Sequence, residues 1–125
     1  MTEESTKTKL GKPNPSDKIL AVESKVAAQI AKAVEGGLAY FGTDMIVESL
    51  LYILELDYSV DLRSVADNPD LLRNALSKMF GAAEYVVEAK ICQVIGKQIG
   101  VDSEGKSFED LIAIAKSKAE KETLP

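Results

Sequence analysis

Residues 45–56 of this 125-residue chain are Met-Ile-Val-Glu-Ser-Leu-Leu-Tyr-Ile-Leu-Glu-Leu, an apolar segment broken only by two glutamates and a serine. It falls short of the roughly 20 apolar residues that cross a bilayer, yet is too apolar to lie wholly on a water-facing surface. Thr43 is placed to cap it as a helix, Asp44 suits the positive end of the dipole, and the helix should run to about Asp57. Met45, Ile46, Val47, Leu50, Leu51, Tyr52, Ile53, Leu54 and Leu56 occupy nearly every face. Such a helix is either the central element of a bundle or has one face in the core and another in a subunit interface.

The rest of the chain supplies helices to pack around it. Ser16 can cap a first, amphipathic outer helix in which Ile19, Val22, Val26, Ile30 and Ala33 recur every three to four residues, with Gly36-Gly37 as its stop. Residues 1–15 contain Pro13 and Pro15 and have no hydrophobic period, which predicts a flexible tail ahead of one domain over 16–125. Val60, Leu62 and Val65 leave room for a short helical turn between Tyr58 and Asp67. Asn68-Pro69 then opens a third helix through about Phe80, closed by Gly81. A fourth, from Ala82 to about Gln98, contains Val86, Val87, Ile91, Val94 and Ile95, with Gly96 weakening its last turn. After a loop over 100–106, Ser107 and Asp110 have capping-box spacing for a final helix. The fold class expected is all-α, a compact bundle of about five helices.

Composition narrows the function. Apolar residues at 46% and charged residues at 28% are values of a globular domain. A net charge of -5 opposes binding to phosphate backbones or anionic lipid, so nucleic acid and membrane are not expected as partners, even with Lys7, Lys9 and Lys12 in the tail. The polar start of the chain does not read as a signal peptide. The single cysteine, Cys92, sits in the apolar pattern of the fourth helix as a buried small hydrophobe, and a reducing, cytoplasmic setting is expected.

The chain has no histidine, which removes the commonest general base and leaves no serine or lysine marked out as a nucleophile. Residues 100–107, Gly-Val-Asp-Ser-Glu-Gly-Lys-Ser, satisfy the G-x-x-x-x-G-K-[ST] template of a phosphate-binding loop. That motif needs a parallel sheet, for which the 18 residues after Ser107 leave no room, and Asp102 and Glu104 would oppose a triphosphate, so a helix-capping loop is expected instead. Acidic residues in the same loop lack the EF-hand spacing. Glu84 and Glu88, one turn apart, read as a solvated face. No catalytic residue, cofactor or metal site is therefore expected, and an enzyme is not.

The order Phe41-Gly42, Leu50, Leu51, Leu54, Tyr58, Leu62, Asn68-Pro69, Leu76, Phe80-Gly81 and Ile91 resembles a family of small archaeal helical domains, some described as the Nitrosopumilus output domain. The resemblance covers residues 38 to 100. It implies an archaeal origin, an all-helical domain without assigned catalytic residues and, from the word "output", a regulatory role.

Two functions follow as expectations. The first is a non-enzymatic interaction or regulatory module, self-associating as a homodimer or bound to another protein, with Leu38, Tyr40, Phe41, Met45 and Tyr52 as candidate interface or pocket residues. The second is a small-ligand sensor, with Tyr40, Tyr52, Tyr58 or Tyr85 lining an apolar pocket between helices, which requires a cavity of about 300 Å³ or more.

Overall fold

A computed structural model describes residues 15–123 of the chain; of the tail expected over 1–15, residues 1–14 lie outside the described residues and Pro15 belongs to the first helix. Five α-helices follow one another: α1 (Pro15–Leu38), α2 (Asp44–Tyr58), α3 (Pro69–Phe80), α4 (Glu84–Ile99) and α5 (Phe108–Thr123). Short 3-10 turns at Ala39–Phe41, Leu62–Ser64 and Gly81–Ala83 join them, and no strand occurs among the described residues. The chain is an all-α helical bundle.

Several expected local signals operate. Thr43 Oγ1 accepts from the Ile46 amide at 3.5 Å, a long cap contact, and Pro69 occupies the first turn of α3. Ser107 and Asp110 form a reciprocal capping box, each side chain accepting from the other's backbone N–H at 3.0 Å. Two expected caps do not form. α1 already includes Pro15 and Ser16, so Ser16 is not its cap, and the Asn68 side chain makes no cap bond. In the connection after α2, Val60 and Val65 bury almost completely and peg the Leu62–Ser64 turn against α1.

Of the two places open to α2, it does not take the central one: only Val47 and Leu54 of its 15 residues are buried, so that a single face enters the core. α1, expected on the outside, packs against α2, α4, α5 and the Leu62–Ser64 turn, and buries Val22, Val26, Ile30, Ala33, Val34 and Leu38. Its main partner is α4, which contributes Val87, Ile91, Cys92, Ile95 and Ile99. α5 closes the core with Phe108, Leu111, Ile112, Ala115 and Ala119. Among the described residues every residue that is buried as a whole is apolar, so burial of apolar surface, at about 25 cal/mol per Å², is what drives this assembly.

Gly36-Gly37 does not stop α1, which continues through Leu38. These glycines serve a close crossing instead. A Cβ on Gly37 would lie 2.9 Å from both the backbone N and Cα of Ile91 in α4, and 2.5 Å from its Cγ1, so only glycine admits this approach. Gly36 is less constrained, since its Cβ would meet a Val94 methyl at 3.2 Å. Alanine has the better helix propensity by about 0.5–1 kcal/mol, but overpacking against backbone costs typically 1–3 kcal/mol. Gly37→Ala is therefore expected to lower stability by about 1–2 kcal/mol in urea denaturation, and Gly36→Ala by less. A Gly37→Ala protein as stable as the parent would contradict the crossing.

Candidate functional site

At 100° per residue, the residues of α2 sort into a core face and an opposite face. Val47 and Leu54 lie on the core face, flanked by the half-buried Leu50, Leu51 and Tyr58. On the other side Met45, Tyr52 and Leu56 are 76%, 65% and 60% exposed, with the exposed Ile46 and Ile53 beside them. Met45, Ser49, Tyr52 and Leu56 follow a four-three-four spacing, that of a seam made to meet another helix. Ser49 does not break the apolar character of this stripe, because its hydroxyl donates to the Met45 carbonyl at 3.1 Å. Glu48 and Glu55 border one edge and Asp57 the other.

The structure divides the expected interface residues. Met45 and Tyr52 share the exposed stripe. Leu38 does not belong with them: it is fully buried, because α1 runs on through it and turns it into the core. Tyr40 is half exposed and has the Lys90 ammonium 4.6 Å above its ring centroid, a cation–π contact that joins the turn after α1 to α4. Phe41 packs on Phe80 at the end of α3, with ring centroids 6.5 Å apart. Leu56, Ile46 and Ile53 complete the stripe, and they stand out in sequence only once the core face of α2 is known.

A concave region, separate from the α2 face, lies between α4 and the loop after it. It is an open groove of about 610 Å³ lined by Tyr85, Glu88, Cys92, Asp102, Lys106 and Phe108, among others. Gly96 seats the loop, since a Cβ there would fall 2.5 Å from the Val101 carbonyl oxygen. The loop is not a phosphate cradle. The Asp102 carboxylate accepts the Glu104 amide at 3.0 Å, the Ser107 hydroxyl and amide are taken up by the capping box, and a helix, not a strand, precedes it. Of the four tyrosines considered for a ligand pocket, Tyr85 alone lines this groove.

Glu84 and Glu88 do not form a solvated face. Arg73 of α3 donates from Nε to Glu88 Oε1 at 3.0 Å, from Nη1 to Asp70 at 2.6 Å and from Nη2 to Glu109 of α5 at 3.0 Å, tying three helices together. Donation to the Glu88 carboxylate raises the Arg73 guanidinium further above its ordinary value and keeps it ionised. Burial alone would raise Glu88, but hydrogen bonds with Arg73 and Glu84 hold it below the usual carboxylate range. Glu84 is pushed up to about 7 by burial and by the neighbouring Glu88, and its Oε2 is buried without a hydrogen-bond partner. Among the described residues, no three His, Cys, Asp or Glu side chains converge to hold a metal ion, and no helix is long and apolar enough to cross a membrane.

No protein-family model, curated protein or solved structure matches this chain.

Glu84 binds its proton more tightly in the folded chain than in the unfolded one. Its contribution to stability is therefore full below its ordinary value of 4.5 and is lost as pH rises through about 7. Glu84→Gln is neutral throughout, so its urea midpoint should fall less than the parent's between about pH 5 and pH 8. Identical profiles would contradict the burial of this carboxyl. The Cys92 thiol is pushed up to about 11, first by burial and then by Glu88, so it should resist a thiol reagent at about pH 8 in the native protein and react on unfolding.

Proposed function

We propose that this chain is a non-enzymatic protein-interaction module whose working surface is the outer face of α2. The observation that supports it is one helix with two apolar faces, of which the fold covers one. The uncovered face presents five large apolar side chains on three turns. Large side chains that contribute little to folding carry a solubility cost unless a partner covers them. The absence of histidine from the sequence and the capped loop at 100–107 support a role without catalysis. The buried Cys92 thiol suits a reducing, cytoplasmic setting. The resemblance to archaeal output domains supports a regulatory setting for the interaction, with a second copy of the chain or another protein as the partner.

A small-ligand sensor is the second reading, and the groove beside α4 favours it. Its volume exceeds the roughly 300 Å³ at which ligand sites begin. It ranks second because its rim carries Asp102, Glu104 and Lys106 in an open wall, not the apolar enclosure that retains small molecules.

The double variant Met45→Lys/Tyr52→Lys tests the first reading. Both residues should be dispensable for folding, so its unfolding free energy is expected within about 1 kcal/mol of the parent, as for surface substitutions, while association through this face is lost. A loss of several kcal/mol would assign the two side chains to the fold and overturn the proposal.

A further inference from the structure

The acidic residues of this protein are not spread evenly. Between Asp44 and Asp67 stand six carboxylates, Asp44, Glu48, Glu55, Asp57, Asp61 and Asp67, against Arg63 alone, while the net charge of the whole chain is -5. The excess negative charge is thus gathered in and just after α2. Within α2 itself there is no Lys or Arg, and Glu48, Glu55 and Asp57 flank the exposed apolar stripe.

That arrangement selects among occupants. Charges flanking an apolar helical seam set the choice of partner, opposite signs attracting and like signs destabilising. Where α2 pairs with α2 of a second copy, parallel or antiparallel, every charge brought to the seam is negative. An anionic lipid surface is repelled on the same grounds. The exposed Met45, Ile46, Tyr52, Ile53 and Leu56 form one apolar patch of the kind that marks an interaction site on a monomer's surface. The stripe from Met45 to Leu56 is about 17 Å long at 1.5 Å per residue, a length that one docked helix covers in three turns.

Resting on the reading that this face binds protein, we infer that its occupant is a basic amphipathic helix of another protein. Its apolar residues at i, i+3 or i+4 and i+7 pack against Met45, Tyr52 and Leu56, with Ser49 as the small residue over which the two backbones approach. Its flanking Lys or Arg residues meet Glu48, Glu55 and Asp57.

The test uses the full chain and three synthetic 18-residue peptides: leucine at helical i, i+3, i+4, i+7 spacing with lysine elsewhere, the same pattern with glutamate, and a lysine peptide with the leucines replaced by alanine. Binding is read by fluorescence anisotropy at two salt concentrations, and mass by light scattering. The leucine–lysine peptide should bind at least tenfold more tightly than either control and weaken with salt. Glu48→Gln/Glu55→Gln should reduce both its affinity and its salt dependence, and Met45→Lys/Tyr52→Lys should abolish binding with folding intact. Equal binding of the glutamate or alanine peptide, or binding that survives Met45→Lys/Tyr52→Lys, would overturn the inference. A parent dimer dissociated by Met45→Lys/Tyr52→Lys would also overturn it, while leaving α2 as the interaction face. A monomer that binds none of the peptides, and whose stability collapses in that variant, would remove both readings.

Discussion

The close crossing of α1 over α4 is the contact on which the rest of the bundle depends. At Gly37 the two backbones come so near that a single methyl group would meet Ile91 main-chain atoms at 2.9 Å. Apolar side chains on both sides of that point, Ala33, Val34 and Leu38 from α1 and Val87, Ile91 and Ile95 from α4, then lose all contact with water or nearly so. With α1 held in the middle, α5 and the Leu62–Ser64 turn also pack against it. α2 is left with a shallow seat that buries Val47 and Leu54. The core is complete without α2's outer face, and so a helix of this composition ends with apolar side chains in water.

This explains what could be read from residues alone and what could not. Helix number and most boundaries follow from local chemistry: Thr43, Pro69, Gly81 and the Ser107–Asp110 box each act on a neighbour within four residues. Which helix is central is not local. Apolar content measures how much surface a helix would bury, not how much the others leave room to cover, and α2 exceeds its share. Gly36-Gly37 reads equally well as a helix stop or a close crossing, because lack of a Cβ serves both. What decides is Ile91, more than fifty positions away. Adjacency groups Leu38 with Tyr40 and Phe41, but Leu38 lies on the last turn of a helix that continues through it.

The same limit governed the candidate site. Met45 and Tyr52 stand out in sequence as large side chains in an apolar helix, yet Leu56, Ile46 and Ile53 join them only when the core face of α2 is fixed. Glu84 and Glu88 read as solvated because Arg73, which pairs with Glu88, is on another helix. That ionic cluster and the apolar stripe use charge in opposite ways. Around Arg73 the charges are satisfied within the chain and fasten α3, α4 and α5 together. Along α2 the acidic residues border an apolar surface without a basic residue from their own helix, an arrangement suited to recognition from outside.

An outer face of α2 that stands open in the isolated protein and closes on a basic helix must change its solvent contact when that helix binds. Hydroxyl-radical footprinting of the full chain, with Met45 and Tyr52 as reporters and the exposed Tyr85 as reference, tests it most directly. Met45 and Tyr52 should oxidise rapidly at every protein concentration, and both, but not Tyr85, should be protected when the leucine–lysine peptide is added. Protection of Met45 and Tyr52 in the protein alone would mean that the face is already covered and would rule out an open docking surface.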